Sequence, residues 1–422
     1  MISLAGLFIY ITLEFLRPEV LLPGVQEQVM QWVALATIGV WILEMILTGH
    51  RWRPFPSTRF FLGFLLVGLV SAGLNYVSLD RLLVSVGDQI KLFCIFLIMV
   101  QSIDSEGKNR FFLRFLVLLC VYLAAGGIAW TQGYAVPGFS WDNGMRLQYS
   151  GIFKDSNDLG QMFAVAWTLV LFHLVNGKGA WKKIADLLVL AVLAWAILLT
   201  QSRGTIVAST IGVFLSFRKR LGTVVPAVFA LMILIGMNLA GMARMDRLSA
   251  GETSAEERIQ AWSQGWYMFR SHPLFGVGPE NFTKNHSRAA HSSLVQVGAE
   301  AGLLGLFCWI GLLYFPLRQT ILNIWPGAKQ AVVATVDQYR VQAALLVCIV
   351  SCLFLSRAYK LPLYLLVALV LTAGQGEDDE EEETEEAAVP VGIWGSFKQV
   401  AMAQVACLIF WRFMVRHFVD GL

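Results

Sequence analysis

Apolar runs long enough to cross a bilayer recur along most of this chain, and no other feature constrains its fold so tightly. Inside hydrocarbon every backbone N–H and C=O needs a partner within the protein, which leaves helices or a closed barrel. Alternating ten-residue strands of the outer-membrane type are absent. The expectation is therefore an all-α, polytopic integral membrane protein. With 57% hydrophobic and 14% charged residues, an ordinary soluble globule is excluded. Twelve spans are expected, near 3–17, 29–48, 60–77, 82–100, 111–131, 158–175, 184–199, 202–217, 222–240, 293–315, 338–355 and 359–374. The eighth and twelfth are short, and Arg17-Pro18 cuts the first. No A-x-A-like cleavage site follows the first run, so it reads as a retained span.

Charge sets the orientation. Placing the N-terminus in the cytoplasm puts fifteen Lys/Arg residues on inner loops, among them Arg51, Lys108, Lys182, Arg218 and Arg340. The short outer loops then hold seven, including Arg17, Arg146, Arg203 and Arg357. Both termini are expected inside, with the long loop 241–290 facing outward. Nine acidic residues lie between Glu377 and Glu386, and setting them aside turns the net +3 into +12. That acidic run separates a transmembrane unit, 1–374, from the end of the chain. Residues 375–391 read as a disordered spacer kept open by self-repulsion. Residues 392–422 are amphipathic, with Arg412, Arg416 and His417 interrupting apolar residues. An interfacial helix on the inner face is expected there, with a thirteenth span as the alternative. The six cysteines lie in apolar runs, show no metal-ligand spacing with His, and read as core.

The long loop carries the chemistry-bearing residues. Arg258, Trp262 and Trp266 fall at i, i+4 and i+8, one face of a helix that must stop near Pro273. The indoles suit a helix resting on the membrane surface, with Arg258 held near lipid headgroups. Gly276-Val-Gly278 is a turn, since no βαβ unit surrounds it. Ser293 and Gln296 form an S-x-x-Q capping box, placing His291 just before a helix N-terminus. The positive end of that dipole favours the neutral imidazole, the form that accepts a proton. A structural hydrogen-bonding role is the alternative for a lone histidine.

Glu300 lies nearly two turns into the next helix and needs a partner there, for which an arginine is the expectation. Gly298 and Gly302 form a GxxxG suited to close helix contact. Arg203, after Ser202, suits a phosphate, because its planar fork gives two parallel hydrogen bonds; snorkelling to the interface is the alternative. Asp88 and Lys91 at i, i+3 are most simply a self-neutralising pair, with Lys91 a further phosphate contact to consider. Arg146, Tyr149, Lys154 and Asn157 mix bases, amide and aromatic groups as a sugar-binding wall would. Outward arginines around one imidazole suit group transfer from a lipid-linked diphosphate, with cationic charge on the leaving group and a base for the incoming hydroxyl. No cofactor, metal site or nucleic-acid partner is expected.

These residues resemble the O-antigen ligase and polymerase superfamily of bacterial envelope glycan enzymes. The matching signature is R-x-x-x-W at Arg258–Trp262, P-x-x-G-x-G-x-x-x-F at Pro273–Phe282, His291, and E-x-G-x-x-G at Glu300–Gly305. Weaker matches are Gly151-Ile-Phe153-Lys-Asp-Ser-Asn157 and Ser202-Arg203-Gly204. The resemblance implies an inverting, metal-independent glycosyl transfer on a fold like the C-type membrane glycosyltransferases. Its donor would be an undecaprenyl-diphosphate-linked glycan on the outer leaflet of the cytoplasmic membrane. His291 would activate the acceptor hydroxyl of a glycolipid, glycan or protein, while Arg203 and Arg258 grip the diphosphate. The family usually has Asn after this histidine, and here Ser292 stands there. A ligase is the first reading. A polymerase taking a second lipid-linked repeat as acceptor is the second, and a transporter of lipid-linked sugars, with no internal repeat to support it, the third.

Overall fold

The structure is a computed structural model. It describes residues 2–419 except 23, 27, 50–51, 76–77, 143–144, 152, 154, 233–234, 236–249, 325–334 and 374–392. The described chain is almost wholly helical. First in order come α1 (Ile2–Leu16), α2 (Pro18–Leu21), α3 (Gln28–Thr48), α4 (Pro56–Leu74), α5 (Leu79–Ser102) and α6 (Glu106–Thr131). A hairpin of β1 (Phe139–Asp142) and β2 (Arg146–Tyr149) follows, paired antiparallel with Phe139 opposite Tyr149. Then come α7 (Ser156–Asn176), α8 (Ala180–Thr200), α9 (Arg203–Leu221), α10 (Ala250–Ser271) and the single turn α11 (Phe282–Asn285). The chain closes with α12 (Ser293–Ile324), α13 (Val336–Cys352), α14 (Leu361–Thr372) and α15 (Ile393–Val419).

Eight of the described helices are long and apolar enough to cross a membrane: α3 to α8, α12 and, between Ser396 and His417, α15. Helices α1 and α14 are apolar but shorter. The expected spans at 202–217 and 338–355 meet helices α9 and α13, which fall outside that group. The expected span at 222–240 is helical over 224–232, and the rest of it mostly lies outside the described residues, as does the acidic segment 375–391.

Local chemistry sets the boundaries. Pro18 ends α1, with Arg17 turned to φ 53°. Pro56 opens α4 at a position where the missing N–H costs nothing. The Asp155 carboxylate caps α7 by accepting from Asn157 N, and the Ser202 hydroxyl caps α9 by accepting from Thr205 N. Thr335 and Gln338 close a full capping box on α13.

Helices α7 and α14 lie innermost. Nearly every side chain of α14 is buried, so its twelve residues face protein on all sides. Leucines and isoleucines on α3 and α8, such as Ile46, Leu47 and Leu198, stay exposed on the outside of the bundle, as a lipid-facing surface requires. Polar groups inside the bundle satisfy backbone: Arg340 Nε donates to Leu169 O at 2.9 Å, and Asn109 Nδ2 to Leu369 O at 2.8 Å.

Two elements depart from the sequence reading. The hairpin was not expected, although Asn143-Gly144 between two short β-prone runs is a standard hairpin signal. It lies over the end of α6, where a Cβ on Gly127 would come within 2.7 Å of Leu147. Helix α15 does not lie flat across helix ends but runs antiparallel along α12. Phe397 stacks on Phe307 at 5.7 Å, Gln399 accepts from the Tyr314 hydroxyl at 2.8 Å, and Gln404 Nε2 donates to Leu303 O at 2.8 Å. Trp411 then reaches Gly298, near the start of α12.

Candidate functional site

The residues that matter gather where α7, α9, α10 and α12 begin or pass. Asn157 ties the first two together: its Oδ1 accepts from the Ser202 hydroxyl at 2.7 Å and from Arg146 Nη2 at 2.7 Å. Its own amide and Nδ2 donate to Asp155 Oδ1 at 2.7 and 2.8 Å. The start of α12 joins through Ser293, whose hydroxyl donates to Leu355 O at 2.7 Å and accepts from Arg357 N at 2.8 Å. Helix N-termini carry partial positive charge, so this convergence favours an anion. Between them lies a cleft lined by Asn157, Ser202, Gly204, Arg258, Ser351 and Leu355, pinched to about 10 Å³, room for one water.

Arg258 forms one wall of that cleft from α10. Burial pulls its guanidinium below the usual arginine range, Asp155 opposes that pull, and Arg146 adds to it. His291 sits half-buried just ahead of α12 at φ 48°, a left-handed backbone that a residue with a Cβ enters only at a cost. Its pKa is lowered first by burial and then by the charge of Arg258; Asp155 works the other way, and Arg288 adds to the lowering. Burial and the Arg258 charge both favour the neutral imidazole. Such a pair can accept a proton on one side and steady negative charge on the other.

Three further charged groups belong here that the sequence did not single out. Asp155 faces both Arg258 and His291. Arg357, wholly buried in the turn between α13 and α14, pairs with Asp158 on α7; burial takes it down to about 9, against Asp155. Arg288 pairs with Glu257, joining the loop before His291 to α10. The available signal was a pair of acids just inside α7 and a lone arginine in a short loop.

The other expected residues fall in different places. Arg203 is the first residue of α9 and is exposed beside the cleft, making no ion pair among the described residues. Arg146 supports the site, donating to Asn157 and, through Nε, to Thr200 O at 3.3 Å, with Asp142 at 3.5 Å. Lys154 lies outside the described residues. Lys91 pairs with Asp88 at 2.7 Å on α5, a helix that contributes nothing to the cleft, so the self-neutralising pair is what forms.

Glu300 departs from expectation as well. Among the described residues no arginine pairs with it; its Oε1 accepts from the backbone N–H of Phe282 at 3.1 Å. It belongs to a joint between the two glycine-rich strings. At Gly302 (φ 65°, ψ −160°) α12 loses its helical conformation, and loop 273–278 takes up the freed backbone groups. Val277 N donates to Ala299 O and Gly278 N to Glu300 O, while Leu303 N donates to Pro273 O and Leu304 N to Leu274 O. A Cβ on Gly276 would meet the Glu300 carbonyl carbon at 2.4 Å, and one on Gly302 the Leu274 carbonyl at 2.5 Å. From α4, Ser71 Oγ donates to Phe275 O at 2.5 Å and to Glu300 O at 3.0 Å. Gly298 therefore receives the Trp411 indole of helix α15, and Gly302 the loop backbone. The expected capping box on α12 is also replaced, since Ser293 is engaged by Leu355 and Arg357.

The indoles of α10 are half-buried against protein. Trp262 Nε1 donates to Ala290 O at 3.0 Å, and Trp266 packs edge-on to Trp411 of α15 at 5.1 Å.

Residues 188–310 match the family described as O-antigen ligase. That stretch runs from within α8 into α12 and holds Arg203, Arg258, His291 and Glu300. No curated protein matches the chain.

Proposed function

We infer that this chain, which belongs to the O-antigen ligase superfamily through residues 188–310, transfers a saccharide from a lipid-linked diphosphate to an acceptor hydroxyl. The observation that carries the reading is Arg258 on the wall of a cleft at the N-termini of α7 and α9, with His291 near enough for the guanidinium charge to lower its pKa. The imidazole takes the acceptor proton as that oxygen attacks the anomeric carbon from the face opposite the leaving group. The bond from the anomeric carbon to the diphosphate breaks, and the diphosphate keeps the electron pair with inversion at the sugar. Arg258, with Arg203 at the mouth, balances the charge that develops there, the part a divalent cation plays in many other transferases. Donor entry widens the one-water cleft, which requires α10 and α9 to part.

A place for the donor's lipid chain supports the reading. An apolar cavity of about 460 Å³ lies between α12, α13 and α15, lined by residues such as Leu294, Ile310, Leu313, Ile349 and Cys407. Its lining residue Leu353 directly precedes Phe354 and Leu355, which line the cleft. The donor is then an undecaprenyl-diphosphate glycan, reached from the outer leaflet of the bacterial cytoplasmic membrane.

The test is turnover of a synthetic undecaprenyl-diphosphate oligosaccharide by the purified protein, with EDTA present. Acceptor-dependent release of undecaprenyl diphosphate is expected, reduced about a hundredfold or more in His291→Ala, the span of general-base catalysis. Near-full turnover in His291→Ala removes the imidazole from the mechanism. Offering a glycolipid acceptor and a second lipid-linked repeat in separate reactions distinguishes a ligase from a polymerase.

A further inference from the structure

Trp411 occupies the junction of α10, α12 and α15. It is the bulkiest of the fully buried side chains, at 1% exposure. Gly298 of α12 makes room for it, since a Cβ there would lie 2.6 Å from the indole; Gly265 of α10 lies in ordinary contact, its Cβ position 3.4 Å from the ring. Its Nε1 donates to the Trp262 carbonyl at 3.2 Å. Trp266 meets the ring edge-on at 5.1 Å and Phe269 at 5.6 Å, while the neighbouring Arg412 lies 5.8 Å over Trp266. The chain of contacts continues inward. Trp262 donates its own indole N–H to Ala290 O, the residue before His291, and Arg258 lies one turn before Trp262 on the same helix.

We propose that Trp411 is a positioning residue: anchored on α15, it wedges α10 against α12 and so fixes Arg258 and the backbone that carries His291. What those two residues do rests on the transfer reading above; the wedge itself does not. The helix that supplies it lies wholly outside residues 188–310. Removing the indole leaves α10 facing Gly298 of α12, which has no side chain to replace the contact.

The experiment compares the full-length protein with Trp411→Ala, Trp411→Phe and Val400→Ala, the last a buried residue of the same helix packed in the main core. Amide exchange over residues 256–271 is read alongside donor KM and the pH profile of turnover. Trp411→Ala is expected to speed exchange in α10 about tenfold or more while α7 keeps its protection. It should raise donor KM about tenfold and move the acidic limb to higher pH. The groups facing His291 are Arg258 from α10, Arg288 from the preceding loop and Asp155 at the start of α7. Withdrawing Arg258 and admitting water both raise the imidazole pKa. Trp411→Phe, which keeps a ring but loses the N–H bond, should fall between. It also carries the test where the alanine variant fails to fold.

Wild-type exchange, KM and pH profile in Trp411→Phe and Trp411→Ala overturn the proposal. So does Val400→Ala producing the same pH shift, because that marks general loosening. If the wild-type protein transfers nothing, exchange in α10 alone still decides the wedge, and the failure registers against the transfer reading instead.

Discussion

A general base works only while it is neutral, and the surroundings of His291 hold its pKa down. Arg258 is the largest charged contributor to that lowering, after burial itself. In Arg258→Gln the imidazole pKa should climb, so the acidic limb of turnover moves to higher pH, read from kcat/KM across pH 5 to 8. An unmoved limb separates the two side chains. At this scale the sequence disclosed the actors better than their pairings. The positions of Arg258 and His291 were legible because helical spacing and a polar loop mark them. Asp155 and Arg357 were not, since nothing in one dimension says that the first turn of α7 meets the turn after α13. The partner of Glu300 was misjudged for a related reason. A buried carboxylate suggests a cation, yet a kinked helix exposes backbone amides that serve as well.

Among the elements, α12 departs furthest from regularity. Gly302→Ala places a Cβ 2.5 Å from the Leu274 carbonyl at a positive φ. It should cost about 2–4 kcal/mol, strain and displaced contacts together, seen as a lowered Tm with the loss of bonds from Leu303 and Leu304. A variant as stable as wild type would mean that the loop does not dock there. Seven of the twelve expected spans meet helices long and apolar enough to cross a membrane, while those at 202–217 and 338–355 meet helices outside that group. The kink was hidden because Gly302 sits inside a stretch read as one continuous span, and its strain is relieved by residues some twenty-five positions earlier. The hairpin was hidden by its length, four residues a strand, inside a segment read for its charges.

For the molecule as a whole, the path of α15 fixes which side the chain's last helix ends on. If it crosses alongside α12, Arg416→Cys should react with an impermeant thiol reagent from the same side as Glu256→Cys, and Lys398→Cys from the opposite side. Shared labelling of positions 398 and 416 from one face would return α15 to the interface and leave both termini together. The all-helical membrane architecture could be read from composition, but the order of helices around α7 and α14 could not, because apolar faces alone do not choose neighbours in lipid. The two glycine-rich strings clasp one another rather than a sugar. A descendant that lost its imidazole while keeping those strings would therefore retain this shape, and a search scoring the strings alone gathers inert homologues with working ones.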